Sequence, residues 1–218
     1  MTTRNRIGMI ALGAAFCLLS GAPSIAAVVH PGDEIYFSGA PNRDTTFSGG
    51  AFELYDATTQ SSWYTFCLEK NENISFGTKY FVESVGPGAT NGGVAGGNPD
   101  FISSQTAYLY YKYATGGISG LSGAGTGVQQ KALQTAFWYL EQEITTPYDQ
   151  LDALTKTYLG IAGGADGGLY GVLVVNPITS AGGLAQSQLV YVPEPGALML
   201  FGSGLAGLIA YRKKHRTV

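Results

Sequence analysis

Thr126–Ile144, TGVQQKALQTAFWYLEQEI, is the one stretch of the chain with a clear helical period. Leu133, Ala136, Phe137, Leu140 and Ile144 recur at three- and four-residue steps and therefore share a face. Thr126 with Gln129 three residues on forms a capping-box pattern, which sets the start of the helix. Gln134 lies at the edge of the apolar face, one turn before Trp138, where an aromatic ring can cover it. A half-buried amide is costly unless it is paired, so Gln134 asks for a partner. The candidate is Cys67.

Outward from this helix the pattern changes to strands. Glu34–Phe37, Ala51–Tyr55, Trp63–Leu68 and Tyr80–Val85 are short runs rich in Tyr, Phe and Val, separated by Gly, Pro and Asn. FELYD and WYTFCLE partly alternate apolar and polar residues, as half-buried antiparallel strands do. Gly86–Pro99 reads as a permissive, poorly ordered glycine loop. Asp100 or Ser103 is expected to cap a helix through about Ala114. Thr146 is expected to cap a third, with Pro147 in its first turn and Leu151, Leu154 and Tyr158 as its stripe. Leu169–Val175 and Gln188–Val192 return to strand. Strands, three helices, then strands predict an α+β domain: an antiparallel β-sheet or sandwich with an inserted helical subdomain of about three helices.

Both ends read as targeting segments. Arg4 and Arg6 precede the apolar run Ile7–Leu19 and a small-residue site near Ala26, so residues 1–27 are expected to be a secretory signal peptide. At the other end Pro193, Glu194 and Pro195 precede the uncharged Gly196–Tyr211 and the basic cluster Arg212-Lys213-Lys214-His215-Arg216. That span is short for a bilayer crossing, and the cations after it would remain cytoplasmic. Residues 193–218 resemble the PEP-CTERM sorting signal of Gram-negative bacteria. The resemblance implies transient inner-membrane anchoring by the tail and processing by an exosortase-type enzyme. It also implies a final location in the cell envelope, outer surface or extracellular matrix.

Without these ends, residues 28–192 carry 6 basic and 14 acidic side chains, a net charge of −8. Such a surface repels nucleic acid. His30 is the one histidine of this segment and Cys67 its one cysteine. Histidine-dependent nucleophilic catalysis and His/Cys metal sites therefore lack their parts. Asp149 with Asp152, and Glu141 with Glu143, read as solvated helix charges. No phosphate loop or EF-hand pattern occurs. The expectation is a protein that is not an enzyme, with no catalytic residues, no metal and no cofactor.

A single thiol in an exported chain asks for a reason. Phe66-Cys67-Leu68-Glu69 at a strand end and Leu133-Gln134-Thr135-Ala136-Phe137-Trp138 in the helix together resemble the Cys–Gln thioester domains of bacterial surface adhesins. That family has an aromatic or Leu before the cysteine, an aliphatic and an acid after it, and a distant apolar-Gln-x-Ala-apolar-Trp block. Leu133 departs from the Thr or Gln more common before the glutamine. The resemblance implies a thioester crosslink between Cys67 and Gln134, surrounded by Phe66, Glu69, Phe137 and Trp138, with Trp63 as a further wall. It implies covalent attachment to an amine-bearing surface or matrix molecule, a protein lysine or an amino glycan. Taken singly, Cys67 reads as a buried inert thiol or as half of a disulfide between two molecules. Gln134 taken singly reads as a hydrogen-bonded helix-edge amide, and Glu69 as solvated. The alternative function is a non-covalent exopolysaccharide-matrix or carbohydrate-binding protein, its aromatic side chains stacking on sugars.

Overall fold

A computed structural model describes residues 29–193; the expected signal peptide, the apolar tail segment and the basic cluster lie outside the described residues. Four antiparallel strands open the fold: β1 (Glu34–Gly39), β2 (Phe52–Asp56), β3 (Ser61–Thr65) and β4 (Lys79–Gly86). A two-residue pair follows, β5 (Gly88–Ala89) with β6 (Asp100–Phe101), then the helices α1 (Ser104–Ala114), α2 (Gly127–Leu140) and α3 (Ala153–Ala162). β7 (Val172–Thr179) and β8 (Gln188–Tyr191) complete the sheet, in the order β3-β2-β1-β4-β7-β8. The architecture is α+β, as the alternation of strand and helix patterns predicts.

The sheet curls until its two edge strands nearly meet. Past the end of β3, Leu68 N–H donates to Ser187 O at 3.0 Å and Leu189 N–H donates to Phe66 O at 3.2 Å. Cys67 and Gln188 face each other across this seam as an antiparallel pair. The result is a barrel-like sheet with helices packed along one side. Alternation along the seam sends neighbouring side chains to opposite faces. Phe66 joins the core shared with the helices, beside Leu133 and Phe137. Cys67 joins the core inside the curled sheet, with Ile35, Leu54, Val82 and Trp138.

α2 begins where its capping box predicts: Thr126 Oγ1 accepts from Gln129 N–H, and Gln129 Oε1 accepts from Thr126 N–H at 2.9 Å. Leu133, Ala136 and Phe137 are fully buried. Burying side chains the size of Leu and Phe contributes about 1.5–3 kcal/mol each, so this face anchors the helix to the sheet. The helix stops at Leu140 rather than continuing to Ile144. Gln142 takes a left-handed φ of 62° and turns the chain back, with Glu143 N–H donating to Trp138 O at 2.8 Å. That reversal overturns the reading of Glu141 and Glu143 as solvated helix charges: both are buried, at 8% and 1% exposure.

The third helix also differs from expectation. Tyr148–Gln150 forms a separate 3-10 turn after Pro147, and Asp152, not Thr146, caps α3 by accepting from Leu154 and Thr155 N–H. A side chain accepting two otherwise orphaned donors outcompetes a more distant threonine. Gly86–Pro99 is likewise not a loose loop. β5 and β6 clamp its ends, and Val94 and Ala95 N–H both donate to Glu143.

Candidate functional site

The backbone of Cys67 explains why Gln134 is buried. In an antiparallel pair whose ladder bonds run through the flanking residues, the central residue's own N–H and C=O point away from the partner strand. Cys67 is such a residue against β8, and β2 stops pairing two residues earlier, at Phe52 opposite Thr65. The side chain of Gln134 fills this vacant edge. Its Oε1 accepts from Cys67 N–H at 3.1 Å and its Nε2 donates to Cys67 O at 2.8 Å. Both residues are 0% exposed. The amide therefore satisfies two buried backbone groups that would otherwise each cost about 1–3 kcal/mol.

The sulfur points into the barrel core, where Gln188 Nε2 donates to it at 3.7 Å. Burial pushes the thiol up to about 12, with the Gln188 amide working weakly in the opposite direction. The thiol is free and protonated under ordinary conditions. A protonated, fully buried sulfur does not react with dissolved oxidants, so a disulfide between two molecules does not fit this conformation.

The surroundings named from sequence are brought together, with one qualification. Phe66 packs on Phe137 with ring centroids 5.2 Å apart, and Trp138 lies with Gln134 beneath Gly49. Trp63, on β3, is partly exposed and shares the barrel-interior core with Cys67. Glu69 is the correction: it is 0% exposed, not solvated. Neither of its carboxylate oxygens makes a full hydrogen bond, although the Gly93 backbone N–H lies close enough to oppose the upward shift weakly. Burial, reinforced by the charge of Glu143, raises its carboxyl to about 8. Glu143 in turn accepts from Lys70 N–H at 2.8 Å and from Val94 and Ala95 N–H, so it staples α2's end to two loops.

Sequence patterns did not reveal the flap over Gln134. At Gly49 a Cβ would lie 2.5 Å from Gln134 Cγ and 2.9 Å from Trp138 Cη2, so only glycine lets the backbone cross here. Gly50 follows with a φ of 100°. Arg43 holds this flap by donating to Gly49 O and Phe47 O, each at 3.2 Å, while Gln130 Nε2 ties its base by donating to Pro41 O at 2.6 Å. The Gly49-Gly50 doublet was the only available signal, and its meaning depends on a helix more than seventy residues away.

Elsewhere on the surface, a cleft of about 540 Å³ is lined by Trp63, Tyr64, Tyr113 and Tyr191 with Glu53, and no lysine or arginine borders it. Among the described residues no group of His, Cys, Asp and Glu could hold a metal ion. Among them, too, no helix is long and apolar enough to cross a membrane. Of the sorting tripeptide only Pro193 is described; Glu194, Pro195 and the candidate span lie outside.

Residues 192–214 match the PEP-CTERM protein-sorting motif. This match supports an exported protein that an exosortase sorts to the envelope or extracellular space of a Gram-negative bacterium. No curated protein and no solved structure matches the chain.

Proposed function

We propose that this exported protein is an adhesion module in which Cys67 and Gln134 form an internal thioester for covalent attachment to surface amines. The observation that carries the reading is the pairing of the Gln134 carboxamide with the Cys67 backbone inside a sealed core. In the bond-forming step Cys67 Sγ attacks Gln134 Cδ, and the negative charge developing on Oε1 is met by Cys67 N–H, a donor already aimed at it. The carbon–nitrogen bond breaks, the thiol proton passes to Nε2, and ammonia leaves. Strand seam and helix are then joined through an acyl–sulfur bond.

Exclusion of water by Phe66, Phe137, Trp138 and the Gly49 flap protects that bond from hydrolysis. A primary amine reaching Cδ forms an amide, the carbon–sulfur bond breaks, and the amine's proton passes to Cys67. An amide is a more stable acyl link than a thioester and an amine leaves less readily than a thiol, so capture runs towards the amide. The event happens once per molecule and involves no turnover, which is why the reading is not an enzyme. Incubating the purified exported chain with a biotin-linked primary amine tests it. Label on Gln134, lost in Cys67→Ala, supports the reading; label spread over the surface, or unchanged in Cys67→Ala, contradicts it.

The aromatic cleft favours a second reading, non-covalent binding of a matrix polysaccharide, since its lining holds several aromatic side chains and no lysine or arginine, which suits neutral sugars. Retention on an exopolysaccharide that survives Cys67→Ala and falls on Trp63→Ala would favour it over the thioester.

A further inference from the structure

The curled sheet is closed along only part of its seam. Leu189 N–H donates to Phe66 O and Leu68 N–H donates to Ser187 O. Backbone groups of alternate residues turn to the same side of a strand, so Ser62 and Tyr64 face this seam as Phe66 and Leu68 do. Tyr64 O indeed lies on that side, where it accepts from Tyr110 Oη at 2.8 Å. No strand answers them there: among the described residues, β3 pairs with β2 alone. The cleft of about 540 Å³ opens at this place, with Ser62, Trp63 and Tyr64 of β3 and Tyr191 of β8 in its lining.

β8 is unable to complete the closure. Val192 N–H donates to Gly171 O, so Pro193 is the next residue turned toward the seam. The register set by Cys67 and Gln188 carries Pro193 opposite Ser62. Proline has no N–H to give.

We infer that this open edge docks an extended peptide segment of another protein, which adds antiparallel to β3 and carries a basic side chain opposite Tyr64. The backbone supplies the first argument. Ser62 offers its N–H and C=O, and Tyr64 its N–H and the second lone pair of its C=O, a row that an added strand can meet. β3 itself, SSWYT, has neither the proline nor the lysine that commonly blunts an exposed edge. A sugar ring stacked on the aromatic side chains leaves this row unmet.

Charge supplies the second. Glu53, the one charged residue in the lining, stands opposite Tyr64 in the β2–β3 ladder. Residues opposite one another in a sheet share a face, so a side chain added beyond Tyr64 extends the row Glu53–Tyr64. An arginine there stretches over the Tyr64 ring toward the Glu53 carboxylate. An acidic side chain would instead meet Glu53 and a segment, residues 28–192, of net charge −8.

The test titrates acetyl-Thr-Val-Arg-Val-Thr-amide, which carries no primary amine, into the isotope-labelled exported protein and follows the Ser62 and Tyr64 amides by NMR. Saturating shifts at millimolar peptide are expected, with slowed hydrogen exchange at both amides. N-methylation of the arginine, glutamate in its place, and Glu53→Gln in the protein should each weaken binding by about tenfold. N-methylation of a valine, whose N–H turns away from β3, should not. Unslowed exchange at Ser62 and Tyr64, or equal weakening by the two N-methyl groups, would overturn the inference. So would shifts of these amides produced by a neutral oligosaccharide and not by the peptide. All of these readouts persist in Cys67→Ala, so their failure is separate from failure of the thioester.

Discussion

The carboxamide of Gln134 serves Cys67 as a surrogate strand, exchanging hydrogen bonds of 3.1 and 2.8 Å with its backbone N–H and C=O. Fold and candidate chemistry thus depend on the same side chain. Removing it should cost more stability than removing the thiol. Gln134→Ala leaves two buried backbone groups unpaired and a cavity, an expected loss of about 3–5 kcal/mol. Cys67→Ala deletes one sulfur and keeps both backbone bonds, for about 1–2 kcal/mol. Urea denaturation of the two variants, each compared with hydrolysed wild type, measures the difference; equal losses would contradict the surrogate-strand account.

Gly49 is the tightest point of the covering flap. Gly49→Ala should destabilise the domain by about 1–3 kcal/mol, because the new methyl overlaps Gln134 Cγ and Trp138 and neither can retreat. The same variant should shorten the lifetime of any acyl–sulfur bond beneath it, read as faster recovery of free thiol in buffer. Wild-type stability and lifetime would mean that the flap does not seal the site.

Trp138→Ala removes the ring that lies with Gln134 beneath Gly49. The ring is 4% exposed and lies 5.7 Å from Phe47. Truncating a buried tryptophan costs about 3–5 kcal/mol, and Trp138→Phe should recover most of that. Thermal melts of both variants check the order.

Glu69 gives the domain a pH dependence of definite sign. Its carboxyl is raised from 4.5 to about 8, so the folded state keeps a proton that the unfolded chain releases between those values. Stability is therefore full below about pH 4.5 and is lost as pH rises toward 8. Glu72, Asp100 and Glu141 are also raised by burial and act in the same direction, while Glu143 faces Glu69 as its main charged neighbour. Denaturation midpoints should fall from about pH 5 to about pH 9, and Glu69→Gln should flatten much of the slope. A slope unchanged in Glu69→Gln would contradict this assignment.

What could be read from sequence was local. The capping box at Thr126 and the alternation of FELYD involve residues within one element, and both survive folding intact. The burial of Glu141 and Glu143 could not be read, because it follows from a single left-handed residue, Gln142, that no helical period anticipates. Asp152 took the capping role from Thr146 for a similar reason: two donors within reach decide a helix start more firmly than a proline one turn earlier. The Cys67–Gln134 association was legible only through the joint pattern of two distant motifs. That the amide would bind the backbone of Cys67, with Gln188 on the sulfur and Gly49 overhead, required the closure of the sheet, which brings together four segments no local pattern connects.

The most direct measurement is the intact mass of freshly isolated, exported protein set beside Cys67→Ala and Gln134→Ala. The account predicts a wild-type mass lower by one ammonia, rising by one water as free thiol appears, with both variants at their full calculated masses. A freshly isolated wild type at full unmodified mass, its Cys67 thiol titratable on unfolding and its Gln134 still an amide by peptide sequencing, would contradict it.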